Sequence, residues 1–288
     1  MRHGLHATMK DRITSRIFQL LYKGLPLGKT CSKFAAEPVI TRLAFAHTGL
    51  VSPVRIVHLT DIHFDPRAGI SVNNVNHMLE TALSERPDLV VITGDFIVDR
   101  CKHIQEYTQV LRKLSQVCPV YATLGNHDGG VWAKGMGGYA DIEVVASILK
   151  NAGIQLLYNE HVTNQGIQLV GLSDLWAGDF HPEKAFAGVT LDKPILLLSH
   201  NPDTTIHLKS FDWDLMLAGH THGGQVVLPV IGAPWTPIEH TNFRHGLYNL
   251  SSTKRKLLYV SAGIGGIFQL RVNCPPEIVV ITVKPDLK

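Results

Sequence analysis

Residues 54–63 read VRIVHLTDIH: a short apolar, β-branched run, Val54–Leu59, stops on Thr60-Asp61 and then offers His63. A run of this length without polar alternation is the mark of a strand buried on both faces, as in a parallel sheet. The same phrase recurs along the chain. Leu89–Thr93 ends at Gly94-Asp95, residues 120–124 at Gly125-Asn126, and residues 167–172 at Ser173-Asp174. Ile195–Leu198 ends at Ser199-His200 and Leu215–Ala218 at Gly219-His220, while Leu257–Val260 and residues 278–283 complete the set. Helical stripes lie between the early runs: Val75, Met78, Leu79, Ala82 and Leu83; Tyr107, Val110, Leu111, Leu114 and Val117; Val144, Val145, Ile148 and Leu149, closed by Gly153. Strand–helix alternation followed by strands predicts one α/β domain with mixed sheets over residues 51–288, without internal repeat or linker.

In an α/β sheet, side chains at the carboxyl ends of strands converge on one crevice. Here those positions carry Asp61 with His63, Asp95, Asn126 with His127, His200, and His220 with His222. Each alone has an ordinary explanation, since Asp caps turns and a lone His is usually a hydrogen-bonded core or surface residue. Turn chemistry does not, however, place five histidines preferentially at strand ends. Mixed oxygen and nitrogen donors without thiolate suit Mn²⁺, Fe²⁺ or Zn²⁺. Two such ions about 3.5–4 Å apart, bridged by a carboxylate, form the clamp used in phosphoryl transfer.

Composition narrows the classes further. With 288 residues, 45% of them hydrophobic and 18% charged, the chain buries a sizeable core and is not disordered. Its four cysteines, Cys31, Cys101, Cys118 and Cys274, have no C-x-x-C spacing. That argues against a disulfide scaffold or a cysteine zinc site, and fits a reducing, cytoplasmic setting.

The ordered blocks Asp61-x-His63, Gly94-Asp95, Gly125-Asn126-His127-Asp128, His200 and Gly219-His220-Thr221-His222 resemble the calcineurin-like metallophosphoesterases. Residues 199–203 (SHNPD), residues 219–225 (GHTHGGQ) and the tail segments YVSAG and PPEI resemble the bacterial YkuE/YaeI-like branch. The resemblance spans roughly residues 54–285. It implies a four-layer α/β/β/α sandwich with two mixed sheets. It also implies two divalent metal ions, Mn²⁺ foremost with Fe²⁺ or Zn²⁺ as alternatives. Asp61, His63 and His222 would hold one ion, Asn126, His200 and His220 the other, and Asp95 would bridge. His127 would face the substrate, and a metal-bridging hydroxide would attack phosphorus. The second block departs from the family pattern: its second acid, Asp99, arrives one residue late, which leaves that residue's role open.

The glycine-rich stretch 129–138 carries Trp132 and Lys134, read either as a flap touching substrate or as an ordinary surface loop. Arg271 and Asn273 are further candidates for a phosphate or head-group contact, beside a surface salt-bridge reading for Arg271. Residues 1–50 form a basic N-terminal extension: eight Lys/Arg against Asp11 and Glu37, a net of +6, leaving a body of net −3 that is no nucleic-acid platform. Within it Ile13, Ile17, Leu20 and Leu21 make an amphipathic stripe, which either lies in an anionic membrane surface through residues 1–45 or packs on the domain. The resemblance implies a phosphodiester or pyrophosphate substrate. UDP-2,3-diacylglucosamine of lipid A synthesis, handled peripherally on the inner membrane, is one such nucleotide-sugar lipid. A phosphomonoesterase or protein phosphatase is the alternative, and a non-catalytic scaffold on the same fold the rival class.

Overall fold

The computed structural model describes residues 37–286, apart from residue 69 and residues 267–269. The amphipathic stripe expected around Ile13–Leu21 lies outside the described residues.

Two six-stranded sheets stack face to face. The first has strand order β1-β12-β2-β3-β4-β5 and contains β1 (Val39–His47), β2 (Val54–Leu59), β3 (Leu89–Thr93), β4 (Val120–Thr123), β5 (Gln155–Leu156) and β12 (Glu277–Pro285). The second runs β10-β11-β9-β8-β7-β6, with β6 (Glu160–Asn164), β7 (Ile167–Gly171), β8 (Ile195–Leu198), β9 (Leu215–Ala218), β10 (Gly246–Asn249) and β11 (Leu257–Val260). Both sheets are mixed. β2, β3 and β4 are mutually parallel while β12 runs antiparallel to β2, and β7, β8, β9 and β11 are parallel while β6 and β10 are antiparallel. The first sheet begins at Val39, inside the stretch the sequence assigns to the extension, because β1 pairs with β12 over nine residues.

Strand periodicity explains the layering. On β2 and β3, Val54, Ile56, Leu89 and Val91 point between the sheets, where they meet Leu196, Leu198, Leu215 and Leu217. Their neighbours Val57, Leu59, Val90 and Ile92 point outward under three helices. Each such buried side chain contributes roughly 1.5–3 kcal/mol by leaving water. The helices are α1 (Val72–Ser84), α2 (Ile104–Ser115) and α4 (Glu143–Asn151), with a five-residue α3 (Val131–Gly135) between the last two. Ser71 caps α1 by accepting from the Asn74 amide while the Asn74 side chain accepts from the Ser71 amide. Gly153, at φ 75, follows the end of α4. Val117, expected on the α2 stripe, lies past the helix end and is exposed. The outer face of the second sheet is covered by α5 (Pro182–Ala185), the 3₁₀ turn Pro202–His207 and a cluster around Trp213, Phe180 and Phe186. Among the described residues no helix is long and apolar enough to cross a membrane.

Candidate metal centre

The carboxyl ends of the parallel strands of both sheets open into one crevice. β2 leads to Asp61 and His63, β3 to Asp95, β4 to Asn126 and His127, β8 to His200, and β9 to His220 and His222. Main-chain bonds lace these exits together: Asp61 N to Gly94 O (3.0 Å), His63 N to Asp95 O (2.9 Å) and Gly219 N to His200 O (3.0 Å). Asp61, His63, Asp95, His220 and His222 all take left-handed φ values between 47° and 69°. Non-glycine residues adopt that region at a cost of roughly 1–3 kcal/mol each, and such strain gathers at functional sites. Gly219 has to lack a side chain: a Cβ there would lie 2.2 Å from Asp61 Oδ2.

The donor atoms face inward at short range. His63 Nε2 is 3.2 Å from His222 Nε2 and 3.3 Å from Asp95 Oδ2, and His222 Nε2 is 3.5 Å from Asp61 Oδ1. On the other side His200 Nε2 is 3.1 Å from Asp95 Oδ2 and 3.2 Å from His220 Nδ1. Asp61, His63 and His222 thus form one group with metal-ligand spacing and Asp95, His200 and His220 another, while His63, Asp95 and His127 form a third.

The hydrogen bonds tell which atoms are left over. His200 Nδ1 donates to the Thr93 carbonyl (2.7 Å) and His220 Nε2 to the Pro237 carbonyl (2.7 Å), so in the neutral rings the two facing nitrogens are both acceptors. Two opposed lone pairs beside a carboxylate are satisfied by a cation. Asn126 Oδ1 is likewise buried, with no hydrogen-bond partner among the described residues. The donor set therefore fits divalent metal.

Electrostatics repeats the point. Burial pushes the His63 and His200 imidazoles down, yet Asp95 and Asp61 outweigh it and hold them up at about 9 and about 10. Burial drives His220 down to about 4 and lowers His222 and His127 as well. Burial also raises the Asp61 and Asp95 carboxyls, but the surrounding imidazoles more than reverse this and leave both below the usual range. The crevice favours positive charge, which divalent cations would supply in place of protons.

His127 sits over the centre. Its Nδ1 donates to the Val98 carbonyl, its amide to Asp95 Oδ1 (3.0 Å), and its ring stands edge-on to His63 with centroids 4.8 Å apart. Trp132, on α3, packs against His127 at 4.6 Å, Trp176 stacks on Trp132 at 6.1 Å, and Trp176 in turn meets His220 edge-on at 4.7 Å. Trp132 is thus brought to the crevice, whereas Lys134 is exposed. Sequence reasoning missed Trp176, which nothing in its local pattern distinguishes. Asp174, which the sequence places at a strand end but leaves out of the site set, is buried after β7 in the same position as the ligands, with a carboxyl that burial pushes up to about 6.

Asp128 ties the β3 and β4 exits together by accepting from the amides of Phe96 (2.8 Å) and Gly125 (2.9 Å). Asp99 instead pairs with Arg67 at 2.6 Å on the rim, so the role left open in the sequence is a peripheral ion pair. Arg271 spends its guanidinium on main-chain carbonyls, Ala262 (2.7 Å), Gly263 (3.2 Å) and Gly265 (2.5 Å), which fixes the loop packed on Asp61. Asn273 donates to the Val227 carbonyl at 2.9 Å.

The model of the calcineurin-like phosphoesterase family matches residues 54–224, the span from β2 through the GHTHGG turn. The chain belongs to the calcineurin-like phosphoesterases. This phosphoesterase is 33% identical over 285 residues to phosphodiesterase YaeI of Escherichia coli (strain K12), covering 97% of each chain. It is 30% identical over 287 residues to the UDP-2,3-diacylglucosamine pyrophosphatase LpxG of Chlamydia trachomatis serovar D, covering 81% of this chain and 84% of that one. It is 31% identical over 238 residues to the uncharacterized metallophosphoesterase YkuE of Bacillus subtilis (strain 168), covering 80% and 79%. The phosphoesterase is accordingly a metal-dependent phosphoric ester hydrolase, and its His/Asp clusters fit the divalent ions its family uses.

Proposed function

We propose that the protein hydrolyses a phosphodiester or pyrophosphate bond in a lipid-linked substrate, UDP-2,3-diacylglucosamine being the first to test. Asp61, His63 and His222 would hold one divalent cation, Asn126, His200 and His220 would hold a second, and Asp95 lies within reach of both groups. The observation that carries this reading is the pair of opposed imidazole contacts, His63–His222 and His200–His220, on either side of the Asp95 carboxylate. Divalent cations, Mn²⁺ foremost, supply the acidity that makes water a nucleophile at neutral pH and the charge that offsets the phosphoryl oxygens.

The protein's own groups do the rest. Donation of Nδ1–H to Val98 fixes the His127 tautomer and leaves the Nε2 lone pair as the ring's working position, which has to take up a proton from solvent, giving the imidazolium, before it can pass that proton to the departing oxygen. Burial lowers that imidazole's pKa, so the resting ring is neutral and its imidazolium, once formed, is a stronger acid than free imidazolium. Trp132 offers a half-buried face on which a base or sugar stacks. The identity to LpxG supports a nucleotide-linked lipid, and the basic N-terminal residues suit a peripheral position on an anionic inner membrane.

The test compares bis(p-nitrophenyl) phosphate, p-nitrophenyl phosphate and UDP-2,3-diacylglucosamine with the Mn²⁺-loaded protein. Hydrolysis of the diester and the nucleotide lipid, at least tenfold faster than the monoester and abolished by chelation, is the expected result. A monoester preference overturns the substrate class; no bound divalent ion and no hydrolysis overturns the enzyme.

A further inference from the structure

Beyond Gln225 the loop that carries His220 and His222 continues as residues 226–237, VVLPVIGAPWTP, without a single charged side chain. It forms a tight hairpin: Leu228 and Gly232 exchange both main-chain bonds at 2.9 Å, and Ile231 N donates to Pro229 O at 2.8 Å. Two contacts make the hairpin an extension of the metal loop. Gly224, at φ 85, approaches Ala233 so closely that a Cβ there would lie 2.3 Å from the Ala233 Cβ. At the far end the Pro237 carbonyl accepts from His220 Nε2.

The tip points its apolar side chains at solvent. Val230 is 107% exposed, Ile231 71% and Trp235 43%, with Leu228 exposed beside them. Val230 takes φ 69, a region where a β-branched residue is an outlier and Asn, Asp or Gly is usual. Neither turn chemistry nor core burial accounts for an aliphatic residue there. Contiguous exposed apolar surface of this kind marks a contact site.

The chain that enters the fold at this end argues for the partner. β1 runs parallel to β12, and β12 antiparallel to β2, so Val39 enters the sheet at the end where β2 delivers Asp61. Ahead of Val39, residues 1–36 carry seven Lys/Arg against Asp11 alone, a net of +6. Exposed Arg244 lies on the same rim, its carbonyl bound by Thr221 Oγ1 at 2.5 Å. An exposed apolar tip, a Trp at its base and a strongly basic sequence ahead of Val39 match the interface of an anionic bilayer.

We propose that hairpin 228–235 inserts Val230 and Ile231 into the interfacial layer of an anionic membrane and so sets the metal crevice against the lipid surface. Its purpose rests on the lipid-linked substrate reading, but the contact itself is measured without substrate. The experiment is co-sedimentation of the full-length protein with vesicles of phosphatidylcholine and phosphatidylglycerol, comparing wild type with Val230→Asp/Ile231→Asp. Asp tolerates left-handed backbone, so the turn is kept, and a thermal melt verifies the fold. The variant is expected to lose vesicle partitioning on the order of 100-fold, from the transfer of two aliphatic side chains. Quenching of tryptophan fluorescence by brominated lipid is expected in wild type and largely lost in Trp235→Phe. A wild type that ignores the vesicles, or a folded double variant that binds them as well as wild type, overturns the proposal. So does a lipid-independent dimer abolished by the double variant while vesicle binding persists, which assigns the tip to a second copy of the chain.

Discussion

Two buried carboxylates stand at the same end of the molecule and are treated in opposite ways. Glu277, at the start of β12, accepts from Thr41 Oγ1 (2.5 Å), Tyr259 OH (2.5 Å), Ser261 Oγ (3.1 Å), the Ala262 amide (2.8 Å) and His245 Nε2 (3.1 Å). Those donors come from β1, β11 and the loops beside them, so the carboxylate pins an edge strand of one sheet to a strand of the other. Among the described residues Asp95 has only the His127 amide as a main-chain donor to its side chain and otherwise faces imidazole nitrogens. One cluster closes its hydrogen bonds within the chain, whereas the other leaves acceptors opposed. A closed polar network contributes stability, and an open one awaits a ligand.

Substitutions can break this contrast, the most severe first. Asp95→Ala is expected to cut turnover by at least about 10³-fold, since it removes the group both metal positions share, and metal analysis should show bound divalent ion falling with it. His127→Ala should lose about 10²–10³-fold in turnover while keeping its metal, the range of a missing proton donor. Equal metal loss in the two variants would make His127 a ligand, as its proximity to His63 and Asp95 allows. Glu277→Ala should instead leave metal content unchanged and cost about 3 kcal/mol of stability, because it strands buried donors; a denaturant titration reads this directly.

The finest test is pH. Burial pushes the Glu277 carboxyl up, but its donors outweigh burial and bring it from 4.5 down to about 2. A depressed folded-state pKa contributes stability that is complete above the unfolded value and drains away as pH falls through the folded one. The stability advantage of wild type over Glu277→Gln should therefore be constant above about pH 5 and shrink from pH 4.5 toward pH 2. A pH-independent difference would mean the carboxylate's charge is not what the node uses.

The strands divide by the same logic of environment. All eight apolar runs picked out in the sequence are inner strands of the two sheets, buried along nearly their whole length apart from Arg55 on β2, and so legible as largely apolar segments. The four strands the sequence does not announce, β1, β5, β6 and β10, are the four sheet edges. They are half-exposed, as in EHVTN of β6 and VITRLAFAH of β1, or only two residues long, so their hydrophobic signal is diluted. The missing β1 is also why the sheet starts before residue 51.

From sequence alone came the α/β class, the inner strands and the residues at their carboxyl ends, because burial and strand-end position are local properties that leave a local pattern. The resemblance supplied the ligand pairing. Only the tertiary structure decided which acceptors are left unpaired. The tautomers of His200, His220 and His127 depend on the carbonyls of Thr93, Pro237 and Val98, which reach them from other segments. The Trp132–Trp176 wall, the five-donor Glu277 node and the junction of the apolar hairpin with the metal loop through Pro237 and His220 likewise depend on contacts that the local pattern does not announce. Such contacts are set by how the two sheets stack, and no window of sequence contains them.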